Sequence, residues 1–164
     1  SSEARVGDLA GLEEVDISSL AADIAELYAG SAEEEGISLR TYIKPGVMMM
    51  GEPMQLTRLI SNLLDNALKY VPRGGQVMLS VSDGPVIEVS DDGPGVEPEL
   101  RPMVFERFRA GNGHNGKTSH GLGLALARAI ALRHGMGIAL QDSAKGAHFV
   151  IKPHAMWSGK DAEA

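Results

Sequence analysis

Three short stretches of this 164-residue chain hold side chains that could do chemistry together. Wound as a helix at about 100° per residue, residues 54–70 gather Leu56, Leu59, Ile60, Leu63, Leu64 and Ala67 on one apolar face. Asn62, Asn66, Lys69 and Tyr70 then fall at i, i+4, i+7 and i+8 along one border of that face, while Arg58 and Asp65 point to water. Amides and an ammonium beside a core are costly unless something satisfies them. An asparagine oxygen suits a hard cation such as Mg²⁺, and a lysine suits phosphate as a point charge. Alone, the stripe also reads as an ordinary polar border. The second stretch, residues 86–95, runs a strand into Asp91 and then a turn holding Gly93 and Gly95. A carboxylate at a strand end can accept from an exocyclic amine, and a bare glycine lets a flat ring approach the backbone. The same letters are ordinary turn chemistry. The third stretch, Ser119-His120-Gly121-Leu122-Gly123-Leu124, sets two glycines at the mouth of a helix, where free N–H groups and the dipole favour an anion.

Those residues need elements to carry them. The spacing of Leu20, Ile24, Leu27 and Tyr28 predicts an amphipathic helix from an N-cap at Ser18 or Ser19 to residue 35, stopped by Gly36. A strand over 38–43 follows, turned by Lys44-Pro45-Gly46, and then a short extended piece over 47–50. Pro53 opens the central helix, which ends at Pro72-Arg73-Gly74-Gly75. Strands over 76–82 and 86–90 join at Asp83-Gly84-Pro85, one or two helical turns lie within 100–105, and a helix covers about 122–134. Two closing strands, 137–142 and 147–152, complete the pattern. Residues 111–120 are polar and glycine-rich and read as a mobile loop. Helices interleaved with hairpin-linked strands predict an α+β fold: a two-layer sandwich with helices on one face of a mixed, mostly antiparallel sheet. Residues 1–14 read as a linker, 15–153 as the domain and 154–164 as a tail.

Composition narrows the function. At 17.3 kDa, with 43% hydrophobic and 23% charged residues, the chain has the balance of one globular domain. No stretch approaches the roughly 20 apolar residues of a membrane span, and Ser1-Ser2-Glu3 does not resemble a secretory leader. Without cysteine there is no disulfide, thiol nucleophile or thiolate metal site, which fits a reducing, cytoplasmic setting. A net charge of −7 argues against a general nucleic-acid binder. The acids crowd residues 1–36, whereas 101–133 hold Arg101, Arg107, Arg109, Lys117, Arg128 and Arg133 against Glu106 alone. One basic zone in an acidic protein fits a small anion held at one place, or a solvated helix face.

Taken together and in this order, Asn62-Leu-Leu-Asp-Asn66-Ala-Leu-Lys69-Tyr70, Asp91-Asp-Gly93-Pro-Gly95, Phe105-Glu-Arg-Phe108 and Gly121-Leu-Gly123-Leu124 resemble the ATP-binding domain of sensor histidine kinases. They match the N, G1, F and G2 boxes of the wider Bergerat-fold family, shared with type II topoisomerases, heat-shock chaperones and mismatch-repair ATPases. The resemblance spans roughly 15–153. It implies ATP between the helices and a flexible lid over the phosphates. It also implies Asn66 as the Mg²⁺ ligand, Asn62 near the triphosphate, Lys69 toward phosphate and Tyr70 beside the nucleotide. Asp91 would accept the adenine amine, Gly93 and Gly95 would turn against the base, and Phe105 and Phe108 would dock the lid. Lys117, Ser119, His120, Gly121, Leu122, Gly123 and Leu124 would line the phosphates. Hydrolysing members typically carry a glutamate where this chain has Asn62, which cannot take a proton, so the resemblance implies phosphoryl transfer to a nucleophile supplied from elsewhere. The expected partners are ATP or ADP, a histidine phosphoacceptor domain of a parent kinase and, through it, a response regulator. The isolated domain is expected to be monomeric. His120 stands where the family usually has a hydroxyl, and Arg109-Ala110 where it often has Tyr-Arg, so Arg107, Arg109 and Lys117 all stay open as the γ-phosphate contact.

Other readings stand beside this one. An anti-sigma-type serine kinase shares the fold but usually carries the glutamate missing at position 62. A nucleotide-sensing module without chemistry would share every motif. Gly111-Asn-Gly-His-Asn-Gly116-Lys117-Thr118 fits a P-loop pattern, yet the charged residues before it cannot form the buried strand such a loop follows. Of the five histidines none has a phosphoacceptor context or zinc spacing. His134 is placed to cap helix carbonyls, and the triple Met48-Met49-Met50 reads as core filling or edge strand.

Overall fold

The computed structural model describes residues 11–106 and 123–158. In chain order these form β1 (Glu13–Asp16), α1 (Ile17–Glu34), β2 (Ser38–Ile43), β3 (Met48–Gly51), α2 (Pro53–Tyr70), β4 (Gln76–Ser82), β5 (Val86–Asp91), α3 (Gly123–Arg133), β6 (Met136–Gln141) and β7 (His148–Pro153). Single helical turns sit at Arg101–Met103 and His154–Met156. The main sheet has the order β2-β4-β5-β7-β6, and only its β2–β4 pairing is parallel. That one parallel pair is what the chain needs to cross from β2 through α2 to β4. β1 and β3 form a separate antiparallel ribbon. The expected mixed, mostly antiparallel α+β fold is the one observed.

Local chemistry explains most of the boundaries. The Glu52 carboxylate accepts from the backbone N–H groups of Met54 and Gln55, both at 3.0 Å, and Pro53 takes the first helical position, where no N–H is required. α2 then buries Leu56, Leu59, Ile60, Leu63 and Leu64 completely against the sheet. Each such side chain contributes roughly 1.5–3 kcal/mol as an upper estimate. The sheet answers with Val77, Leu79, Val81, Ile87, Val89, Phe149 and Ile151, alternating with outward Ser80, Glu88 and Ser90. α1 ends as anticipated at Gly36, whose φ of +68° no branched residue adopts cheaply, and the Ile37 N–H closes onto Ala32 O at 2.9 Å.

Several boundaries differ from the pattern-based expectation. The cap of α1 is Asp16, whose carboxylate accepts from Ser19 N–H at 2.9 Å. Ser18, expected as a cap, is instead buried: its hydroxyl donates to Lys44 O and accepts from Val47 N–H, pinning the turn between β2 and β3. Residues 13 and 14, inside the stretch read as linker, are paired with β3. Residues 154–157, read as tail, fold back on the sheet, with His154 N–H on Gly135 O at 3.1 Å and the Trp157 indole N–H on Lys152 O at 3.0 Å. The methionine triplet is a ribbon strand with Met48 and Met50 exposed and Met49 packed inward. The core face of α1 is also rotated. Ile17, Ala21, Ile24, Ala25 and Ala32 are buried, while Leu27 is 80% exposed.

Two polar contacts lock the helices together. The Tyr28 hydroxyl on α1 donates to Asp65 Oδ1 on α2 at 2.8 Å, with Ser61 O at 3.3 Å. Burial first, then the bond to and charge of Asp65, push the phenol from 10.0 up to about 12. His134, at the end of α3, holds Ile130 O through Nδ1 at 2.8 Å, as a helix-capping histidine should, and its Nε2 accepts the Glu52 N–H at 3.1 Å. That second bond requires the neutral imidazole with its proton on Nδ1. Tyr28→Phe should therefore cost about 0.5–1.5 kcal/mol in urea unfolding. The folded phenol holds its proton more tightly than the unfolded one, so wild-type stability should fall as pH rises from 10.0 to about 12. A Tyr28→Phe variant that keeps the full alkaline loss would show that this hydroxyl is not its source.

Candidate functional site

The core face of α2 sets the rotation of everything else on that helix. With the leucines buried, Asn62, Asn66, Lys69 and Tyr70 are left half-buried along one border, and Arg58 and Asp65 are exposed, as the spacing predicts. The Asn62 amide donates to Gly123 O at 3.1 Å, tying α2 to the first residue of α3. Leu124 packs against the core one residue further on. The structure thus places Asn62, Asn66, Lys69 and Tyr70 on one border of α2 and brings the Asn62 end of it to Gly123 of α3.

The far end of this border meets the end of β5. Val71, the C-cap of α2, is fully buried, and a side chain on Gly93 would come within 3.4 Å of the Val71 backbone. Asp92 closes the same junction, its Oδ1 accepting from Gln76 N–H at 2.8 Å. Asp91 is thereby fixed beside the C-terminus of α2. One of its oxygens, Oδ1, takes both the Gly93 N–H at 2.9 Å and the Ala147 N–H at 3.2 Å. Among the described residues its second oxygen has no hydrogen-bond donor. Burial pushes the Asp91 carboxyl above its ordinary 3.8; the two N–H bonds pull the other way, and neighbouring Asp92 adds to the rise. Gly95, with φ +76°, lies so close to Gly146 that a Cβ would stand 3.0 Å from Gly146 O.

Gly146 and Ala147, on the loop between β6 and β7, are the site residues that motif reading missed. A Cβ at Gly146 would sit 1.9 Å from Asp91 O, so only a glycine lets this loop deliver the Ala147 N–H to the carboxylate. The contact joins residues 56 apart, and the one local signal is a glycine just before the last strand. Phe105, expected to dock the lid, packs edge-on against Phe149, centroids 6.0 Å apart. Arg101, counted in the basic zone, is committed to Asp142 and Leu140 O, both at 3.1 Å, and so serves structure. Lys117, Ser119, His120, Gly121 and Leu122, with Arg107, Phe108 and Arg109, lie outside the described residues. No cluster of three or more metal-ligating His, Cys, Asp or Glu occurs among those described.

The raised Asp91 proton affinity has a sign. The folded state binds this proton more tightly than the unfolded chain, so its contribution to stability is present at low pH and lost as pH rises from 3.8 through the raised value. Asp91→Asn keeps an oxygen for both N–H donors and removes the buried charge. It should be at least as stable as wild type at pH 7 in thermal melts. A clear loss of melting temperature would overturn this account. Gly146→Ala should destabilise by about 1–3 kcal/mol through backbone collision and its φ of +78°. A neutral result in urea unfolding would refute the close approach.

The chain is similar to proteins of known class. Residues 51–155 match the family of histidine kinase-, DNA gyrase B- and HSP90-like ATPases. The sensor histidine kinase GtrS of Pseudomonas aeruginosa is 41% identical over 82% of this chain and 27% of its own length. The chain therefore spans about a quarter of the curated relatives it matches. Full-length ShkA in complex with AMPPNP superposes with a TM-score of 0.69 at 29% identity, over 87% of this chain and 30% of that one. The catalytic domain of histidine kinase ThkA superposes at 0.77 over 87% of this chain and 96% of that one, and at 20% identity this likeness concerns the fold alone. With the family's matched span running from the start of α2 to the turn after β7, and the site built from that same span, this chain belongs to the histidine kinase-, DNA gyrase B- and HSP90-like ATPase family.

Proposed function

We propose that this chain is the ATP-binding catalytic domain of a two-component sensor histidine kinase. In this reading it binds Mg-ATP and donates the γ-phosphoryl group to a histidine on a separate phosphoacceptor domain of the same parent. That histidine would then serve a response regulator. The observation that carries the reading is the pair of fixed ends of the α2 border: Asn62 tied to Gly123 at one, Asp91 held with an oxygen to spare at the other. A nucleotide fits across such a border, its base amine on Asp91 and its phosphates at the mouth of α3.

Each residue has a role in this proposal. Asp91 accepts from the adenine amine through the oxygen its backbone donors leave over. Gly93 and Gly95 keep the wall against the base free of side chains. Lys69 and Tyr70 flank the nucleotide, and Asn66 offers an amide oxygen to Mg²⁺, which when bound offsets the phosphate charge. Asn62 has no proton-accepting group, so water is not activated there. The nucleophile is instead an imidazole nitrogen from the phosphoacceptor domain, which forms the new P–N bond as the bond to the ADP oxygen breaks. The relatives named as sensor histidine kinases support this class. No helix among the described residues is long and apolar enough to cross a membrane, which is compatible with a cytoplasmic part of the parent.

Calorimetric titration with Mg-ATP tests the reading. Asn66→Ala should abolish the Mg-dependent part of binding. Asp91→Asn should weaken ATP by about 100-fold, since its amide N–H₂ would face the base amine donor to donor. Lys117→Ala should weaken binding only modestly. Indispensable Lys117 with dispensable Asn66 would mean that the P-loop pattern is the real site. Phosphoryl transfer to an added histidine phosphoacceptor domain should follow, with none stably on the isolated chain. ATP binding without transfer would leave a nucleotide sensor in place of a kinase.

A further inference from the structure

A second surface lies away from the nucleotide border, and the rotated face of α1 creates it. Alanines at 21, 25 and 32 face the core, letting α1 pack close, so the helix's large apolar side chains are not all spent on folding. Leu20, Ile24 and Leu27 follow one another at i, i+4 and i+7. With Val15 from β1, Asp23, and Thr57 from α2, they line an open groove of about 420 Å³. Ile24 forms its buried floor, Leu20 is half-buried, and Leu27 stands 80% exposed at one end. A lone exposed leucine needs no explanation. A helical leucine stripe opening on a groove does.

The rim gives the occupant its sign. From Glu13 to Glu35, which includes all of α1, the chain carries acids and no lysine, arginine or histidine. An anionic lipid surface or a nucleic acid is repelled by such a rim. The length of the stripe, two turns or about 10 Å along α1, matches helix-in-groove recognition, where anchors repeat at i, i+3 or i+4 and i+7.

We infer that the groove between α1 and α2 docks an amphipathic helix of a partner protein whose apolar stripe is flanked by lysine or arginine. Its leucine-type side chains fill the space between Leu20, Leu27 and Thr57, and its basic flanks face Asp23 and the acids beside it. The inference is independent of the nucleotide reading, because the groove residues do not include Asn62, Asn66, Lys69 or Tyr70.

The test uses the full chain and a synthetic four-turn helical peptide with leucines at every third and fourth position flanked by lysines. A scrambled peptide of the same composition serves as control. Binding is read by fluorescence anisotropy, and its place by NMR shifts around Leu20, Leu27 and Thr57. The patterned peptide should bind at least tenfold more tightly than the scramble. Leu27→Ser should weaken it at least tenfold without changing the melting temperature or ATP binding, and Asp23→Lys should weaken it and flatten its salt dependence. Equal binding of the scramble, no loss in Leu27→Ser, or no binding at all would overturn the inference. So would sedimentation showing Leu27-dependent self-association, which would make a second copy the occupant.

Discussion

Everything in this molecule hangs on how α2 is clamped against the sheet. Five fully buried aliphatic side chains leave the helix no freedom to roll, and a roll of one residue would swing its border by about 100°. The hydrophobic effect is non-directional, yet here it acts as the positioning device for polar groups. Asn62, Asn66, Lys69 and Tyr70 sit where they do because the leucines between them have nowhere else to go. Glu52, Pro53 and His134 secure the same helix at its start, and Tyr28 secures it midway, so rotation and translation are both fixed.

Against that helix the carboxylate of Asp91 is an expensive object. Burial opposes its charge and raises its pKa above 3.8, and only two backbone donors, both on one oxygen, pull the other way. A group selected for stability alone would be saturated with partners or replaced by an amide. Under the proposed function, the acid keeps one oxygen for the ligand at the expense of stability.

How much of this was legible in the letters depends on range. The stripe on α2 could be read because its period is helical and its neighbours are plainly apolar. The strands over 38–43 and 76–82 could be read because alternation is bounded by glycine and proline. The face of α1 could not, since alanine is as content in a core as at its edge, and the leucines outweighed it in the pattern. β1 was missed because an acidic four-residue strand has no signal of its own and exists through its pairing with the methionines of β3. Ser18 looked like a cap because serine before a helix usually is one, but the turn at residues 44–47 claims its hydroxyl. The Gly146–Ala147 clasp on Asp91 is invisible locally, because its meaning lies in a steric fit between loops distant in sequence.

That clasp ties the site to the whole folding reaction. Asp91 belongs to a strand laid down in mid-chain, while the donor that orients it arrives only when β7, the last strand, has paired with both β5 and β6. Loop-closure entropy makes such a contact costly to form before the sheet is complete. A chain lacking its final strand could hold the helix border and the local Gly93 donor but would lose the second donor to the carboxylate. Under the proposed function, a ligand that needs this geometry is captured only by finished molecules, and its capture draws the folding equilibrium toward them.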